Sequence, residues 1–187
     1  MRIIGGKHRG RSFASVEGKT VRPTSSMVRE AVFNIITHLD MDDERTHLLD
    51  GAIVADICCG SGALGLEALS RGAAKVVFVD AQSTVLKQAR ANAEKLGELE
   101  NSKFFQCDAT KLPRAIATYE VVFIDPPYSQ DLSPIILQLL LNGGWLRENG
   151  IIVLEQAKKD AIPEIDGLEI IKDKVYGRTR VLVFRKI

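Results

Sequence analysis

The stretch Asp56-Ile57-Cys58-Cys59-Gly60-Ser61-Gly62-Ala63-Leu64-Gly65 decides the fold. It ends the apolar run Ile53–Ile57 and passes at once into a helical pattern over Ala63–Ser70. Gly60, Gly62 and Gly65 thus form a G-x-G-x-x-G between a strand and a helix, where glycines permit a tight turn and close approach of a ligand to the backbone. Asp80 closes the next apolar run, 20 residues after Gly60, where a carboxylate can reach both hydroxyls of a ribose. Loop and acid together point to a nucleoside-bearing cofactor.

Outward from this loop, short apolar runs alternate with amphipathic segments. Strands are predicted at 53–57, 75–79, 103–106, 121–124, 151–155, 168–175 and 180–184, and helices at 25–39, 63–70, 84–96 and 134–141. Ser26, with Arg29 and Glu30, lies where the first helix should begin; Val28, Val32, Ile35, Ile36 and Leu39 share one of its faces. Run-like strands joined by helices read as a parallel sheet covered on both faces, and the last two runs, separated by Tyr176–Thr179, as an antiparallel hairpin at one edge. The expected fold class is α/β, Rossmann-like. Its 187 residues suit one domain, able to bury about 70% of the surface of its unfolded chain without metal or disulfides. Residues 1–50 read as a basic arm and helix belonging to the same domain as 51–187.

Composition narrows the setting. Hydrophobic residues at 45% and charged residues at 26% exclude wholesale disorder. Three cysteines, two of them adjacent, do not make a secreted disulfide framework, the opening MRIIGGKHRGRSF lacks the apolar core of a secretory signal, and no apolar run is long enough to span a membrane. A cytoplasmic protein is expected, with no membrane or metal partner and monomeric. The formal charge of +1 is unevenly placed. Residues 1–29 hold Arg2, Lys7, Arg9, Arg11, Lys19, Arg22 and Arg29 against Glu17 alone, so the remainder is net negative. A basic arm on an acidic body suits a polyanion, although a solvated basic face has the same composition. Phe13 is the arm's one aromatic, so no stacking platform for single strands is evident.

Two further acids refine the cofactor. Asp56, four residues before Gly60, would repel a pyrophosphate. It can instead orient the glycine loop or hold the amino group of a methionine moiety, which favours the cationic, phosphate-free S-adenosylmethionine over a dinucleotide. Asp108, in Cys107-Asp108-Ala109 after the third strand, either holds an adenine amino group or caps the segment that follows. The fourth strand stops at Asp125-Pro126-Pro127-Tyr128. Two prolines fix a rigid turn at the carboxyl edge of the sheet, where ligands bind in open α/β folds. With its donors removed, the turn offers Asp125 and carbonyl oxygens to an exocyclic amine, and Tyr128 can stack on the base that bears it. Methyl transfer to a base amine is the implied chemistry. Glu155 and Gln156 end the fifth strand near the same crevice.

These motifs resemble those of the RsmD family of small-subunit (16S) ribosomal RNA guanine-N2 methyltransferases, class I enzymes dependent on S-adenosylmethionine. The resemblance is carried by MRIIGGKHRGR, RPTSSMVREAVFNII, DICCGSGALGLEALSRGA, VVFVD and VVFIDPPY, and spans nearly the whole chain. It implies a seven-stranded methyltransferase fold with the last strand antiparallel, and a guanine substrate within an assembling small-subunit particle. Carried over residue by residue, it assigns the methionine end to Gly60 and Gly62 beside Asp56 and Cys58, the ribose to Asp80, the adenine to Asp108 and Ala109, and the target base to Asp125, Pro126, Pro127 and Tyr128. Arg22-Pro23-Thr24 would close over the cofactor, with Thr24 in contact, and Lys7, Arg9, Arg11, Arg22 and Arg29 are the candidate RNA contacts. Cys58-Cys59 and His8 depart from the family pattern, which commonly has Trp at the latter position, and the basic residues of Tyr176-Gly177-Arg178-Thr179 depart from its closing hairpin. Asp-Pro-Pro-Tyr alone also suits adenine-N6 methylation of DNA or RNA. An NAD-dependent oxidoreductase conflicts with Asp56 and the two prolines, and a non-catalytic RNA-binding assembly factor with the four intact acids.

Overall fold

In a computed structural model of the chain, residues 1–15, 26–39, 47–127 and 132–187 are described. Strands β1 (Ile53–Ile57), β2 (Lys75–Asp80), β3 (Ser102–Gln106), β4 (Tyr119–Ile124), β5 (Leu146–Ala157), β6 (Leu168–Tyr176) and β7 (Thr179–Lys186) form one sheet in the order β3-β2-β1-β4-β5-β7-β6. β1 to β5 pair in parallel; β7 runs antiparallel between β5 and β6. The predicted seven strands and edge hairpin are all present. Helices α1 (Ser26–Thr37), α2 (Ala63–Ser70), α3 (Ser83–Leu96) and α4 (Ser133–Asn142) match the predicted spans closely. This is the Rossmann-like class I methyltransferase architecture.

β5 begins five residues earlier than the apolar pattern at Ile151 suggested. Tyr119 is level with Leu146 and Val121 with Ile151, so the register jumps across the polar Arg147–Gly150, where Asn149 adopts φ 58°. No periodicity reveals a strand interrupted in this way.

The central strands alternate cleanly between two cores. Val54, Val121, Phe123, Ile151 and Val153 pack on one face with α1, α2 and α3. Ala55, Val122, Ile124, Ile152 and Leu154 pack on the other with α4. Gly65 makes the first layer possible, since a Cβ there would lie 2.4 Å from Cε1 of Phe78 and 2.8 Å from Cγ1 of Val76. Only a glycine lets α2 settle this closely on β2.

Residues 1–15 are bound to the body. A small hairpin pairs Arg2 with Ser12, and Ile3 and Phe13 are buried in the first core. Glu67, the one charged residue of α2, accepts from Ile4 N (2.9 Å) and Gly5 N (2.7 Å) and pairs with Arg71 Nε (2.9 Å). Ser70 Oγ donates to Gly5 O and accepts from His8 N. Glu98 binds Lys7 Nζ at 2.7 Å and His8 Nε2 at 2.5 Å. Arg11 Nη1 contacts His8 Nδ1, and a guanidinium can only donate, so the His8 proton sits on Nε2 and points at Glu98. Arg11 also donates to the carbonyls of Lys95 and Leu96 at the C-terminal end of α3, the end of a helix that attracts cations.

The expectation that Arg29 contacts a phosphate backbone is corrected. Arg29 is 1% exposed, donates from Nη2 to Arg2 O and lies 3.7 Å from Glu67. Burial pulls its guanidinium below the ordinary arginine value, and Glu67 and Glu155 oppose that pull. It is an internal cation of the fold.

Candidate active site

The glycine loop is held by acids on both sides. Asp56, at 1% exposure, accepts the Gly65 N–H on Oδ2 at 2.9 Å, so it fixes the start of α2. Of the two roles open to it, loop orientation is the one with a hydrogen bond in place. Burial lifts the Asp56 carboxyl well above the ordinary range; the Gly65 N–H opposes this, and the charges of Asp125 and Asp80 add to it. Asp80 accepts from Gly60 N on one oxygen (3.1 Å) and from Gln82 N on the other (3.0 Å). Each of those oxygens keeps a second lone pair for a ribose hydroxyl. Cys58 (φ 59°), Gly60 (φ 54°) and Gly62 (φ 81°) take the left-handed conformation that bends the chain from β1 into α2. A non-glycine residue at positive φ is strained, and such positions cluster at functional sites.

Cys58 lies at the centre of the acidic crevice. Burial pushes its thiol up to about 12, and Asp80, Asp125, Asp56 and Asp108 all push the same way. It therefore stays a neutral small side chain and not a nucleophile. Asp108 caps the short turn Ala109–Lys111, accepting the N–H and hydroxyl of Thr110 on Oδ1; these bonds hold its carboxyl below the ordinary value. The capping alternative is thus realised, while its other oxygen remains available for an adenine amine. Ala109 is buried beneath it.

Asp125 is half-buried, and its N–H donates to Ile57 O at 3.3 Å, which ties the end of β4 to the end of β1. Pro126 is buried and Pro127 exposed. The fold thus gathers Asp56, Cys58, Gly60, Gly62, Asp80, Asp108, Ala109, Asp125, Pro126 and Pro127 along the carboxyl edge of β1 to β4. Tyr128, Thr24 and Arg22 lie outside the described residues.

Two contributors escaped the motifs. Asn92 is 2% exposed on the inner face of α3; its Nδ2 donates to Ser61 O and Ala14 O, and its Oδ1 accepts from Ala14 N, which joins the glycine loop to the N-terminal segment. A polar residue in register with Val85, Leu86, Ala89, Ala93 and Leu96 was the signal. Glu67, the one acid in α2, gave a similar signal.

The match to known proteins agrees with this geometry. Residues 1–185 match the family model described as conserved hypothetical protein 95. The putative rRNA methyltransferase YlbH of Bacillus subtilis is 33% identical, covering 100% of this chain and 99% of its own. Ribosomal RNA small subunit methyltransferase D of Escherichia coli is 30% identical, over 100% of this chain and 90% of its own. The chain belongs to this family.

Solved structures share its fold. A putative methyltransferase, yhhF, from Escherichia coli superposes with a TM-score of 0.84 at 29% identity, covering 100% of this chain and 97% of that one. An RNA methyltransferase from Salinibacter ruber in complex with S-adenosyl-L-homocysteine gives 0.62 at 17% identity, over 88% and 94%, and bears on the fold alone. The crevice of this family member suits S-adenosylmethionine. Neither Asp56 nor Asp80 is ion-paired to a basic side chain among the described residues, so its carboxylates can face a cationic, phosphate-free ligand.

Among the described residues no group of His, Cys, Asp and Glu is placed to hold a metal ion, and no helix is long and apolar enough to cross a membrane.

Proposed function

We propose that this chain is a ribosomal RNA methyltransferase that moves a methyl group from S-adenosylmethionine to the exocyclic N2 amine of a guanine in 16S RNA of the small subunit. The observation that carries the reading is Asp125 and its two prolines at the edge of β4, joined to the end of β1 beside the glycine loop. Membership in the family of the Bacillus subtilis and Escherichia coli rRNA methyltransferases supports the choice of RNA.

Each residue has a role in this reading. Gly60 and Gly62 admit the methionine end to the backbone, Asp56 keeps the loop in shape, Asp80 binds the ribose, and Asp108 with Ala109 binds the adenine. The cofactor supplies an electrophilic methyl group. Asp125, with the carbonyls of the proline turn, accepts hydrogen bonds from the amine and aims the nitrogen lone pair. As the new N–C bond forms and the S–C bond breaks, positive charge develops on that nitrogen. A fixed acceptor then stabilises the transition state more than the ground state. The methylated cation is acidic and sheds its proton late, so positioning and electrostatics supply the acceleration. Tyr128 stacks on the flipped base. Of the arm residues, Arg9 is exposed and in no ion pair among the described residues, which makes it the leading phosphate contact; Lys7 and Arg11 share themselves with Glu98 and with α3.

Incubation with labelled S-adenosylmethionine and unmodified small subunits, followed by RNA digestion, tests this directly. Labelled N2-methylguanosine is the expected product. N6-methyladenosine would overturn the base assignment, and absence of label in protein that binds the cofactor would overturn the substrate.

A further inference from the structure

A third carboxyl stands beside Asp56 and Asp125, and the mechanism above does not use it. Asp56 is level with Phe123 on β4, and Phe123 with Val153 on β5. Side chains two residues apart share a face, so Asp125 and Glu155, one step beyond the last registered pair Ile124 and Leu154, lie side by side on the face that also carries Asp56. Glu155 is 1% exposed, and its Oε1 has no hydrogen-bond partner. Asp125 faces it from β4, Asp56 from β1 and Arg29 from α1, while its partner on β7 is the apolar Val181. Arg29 divides its single charge between Glu155 and Glu67, and its Nε and Nη1 make no hydrogen bond. Among the described residues, the groups that act on Glu155 are thus two carboxyls and one cation, which it shares with Glu67. Burial pushes the Glu155 carboxyl well above the ordinary range; Asp125 and Asp56 add to the push, and Arg29 opposes it.

We propose that Glu155 is the proton-linked group of the crevice: it gives up its proton to solvent as S-adenosylmethionine binds, and regains one when the product replaces it. The inference rests on the cofactor reading above. The sulfonium form carries one more positive charge than S-adenosylhomocysteine, and a cation brought into a buried cluster of acids favours their ionised forms. Binding therefore breaks the O–H bond of Glu155 and sends that proton to water. Methyl transfer then removes the sulfonium charge and frees one proton from the amine. Glu155, ionised and beside Asp125, takes a proton up again, so one turnover still releases one proton overall. The sign follows from linkage: a ligand whose binding releases a proton binds more tightly as pH rises.

Calorimetry in buffers of different ionisation enthalpy counts the protons, using the full chain with S-adenosylmethionine and, separately, S-adenosylhomocysteine. The expected result is a substantial fraction of a proton released by the first and much less by the second. Affinity for S-adenosylmethionine should rise with pH, by up to about tenfold per pH unit where Glu155 titrates, with a flatter profile for the product. Glu155→Gln should abolish the difference in proton release and weaken S-adenosylmethionine several-fold relative to S-adenosylhomocysteine. Equal proton release by both ligands in the unsubstituted protein overturns the proposal without any variant having to fold. A ligand-specific release that survives in Glu155→Gln also overturns it and moves the proton to another acid. Failure of both ligands to bind would instead overturn the cofactor reading itself.

Discussion

Two groups of acids in this molecule have opposite surroundings. Glu67 and Glu98 are as buried as Asp56 and Glu155, yet each is saturated: Glu67 by two backbone N–H groups and Arg71, Glu98 by Lys7, His8 and Asn101. They fasten the N-terminal hairpin to α2 and α3. At the carboxyl edge of the sheet, Asp56 is held by one N–H and pressed by other acids, and Glu155 by part of one cation. Burial alone therefore does not distinguish anchors from chemistry. Saturation does, because a fully partnered carboxylate has nothing left to offer a ligand, whereas crowded acids hold an affinity for positive charge.

The sharpest break in the comparison is Glu67→Ala, which removes one of the two acids facing the buried Arg29 and leaves the half-buried N–H groups of Ile4 and Gly5 without their acceptor. Removing one partner of a buried ion pair costs about 3–5 kcal/mol, so denaturant titration should show a loss of that size. Loss of less than about 1 kcal/mol would mean that Glu67 is no anchor.

On the other side of the comparison, Asp125→Ala should leave stability and cofactor affinity nearly unchanged while lowering single-turnover methyl transfer by roughly 10²–10³-fold. Equal losses of binding and turnover would reassign Asp125 to the cofactor.

Gly65→Ala tests the seat of the glycine loop. The added methyl meets Phe78 and Val76, so a cost of about 1–3 kcal/mol is expected, together with weaker cofactor binding as α2 lifts off β2 and Asp56 loses the Gly65 N–H. Intact affinity at reduced stability would uncouple the loop from the packing beneath it.

The crowded acids also set a pH dependence. The folded state raises Asp56 and Glu155 above their unfolded values, so the stability they contribute is complete below about pH 4 and is lost as pH rises through their folded values. Glu155→Gln cannot ionise, and its melting temperature relative to the unsubstituted protein should rise with pH above the ordinary carboxyl range, by roughly 2–4 °C for each kcal/mol relieved. A difference that does not vary with pH would show that Glu155 does not titrate on unfolding.

Most of the frame was legible because it depends on local periodicity. The glycine loop, the helix Ala63–Ser70 and the strand Ile53–Ile57 appear at their predicted positions, since apolar runs, glycines and prolines act within a few residues of themselves. The start of β5 was not legible, because its first residues pair across a register jump that no alternating pattern marks. The fate of the basic arm was not legible either. A count of charges sees Arg29, Lys7 and Arg11 as cations, but their partners Glu67, Glu98 and the carbonyls of α3 lie 38 to 91 residues away, at distances set by the fold. Asp108 shows the intermediate case: its cap on Thr110 is local and readable, whereas the partner of its second oxygen is not written in neighbouring residues.

The smallest expected effect separates two neighbouring arginines of the arm that the sequence treats alike. Arg9 is exposed and without an ion pair among the described residues, whereas Arg11 donates to Lys95, Leu96 and His8. If the arm lies on RNA, Arg9→Gln should weaken binding modestly, leave the fold unchanged, and lower the slope of log affinity against log salt by about 1, the signature of one lost phosphate contact. Arg11→Gln should cost stability, by about 0.5–1 kcal/mol for its exposed contacts with the end of α3, and change the salt slope less. The reverse assignment, with Arg11 controlling the slope and Arg9 silent, would mean that RNA competes successfully with the α3 carbonyls for Arg11. The hairpin would then have to loosen as RNA binds, and its anchoring acids would belong to recognition as well as to the fold.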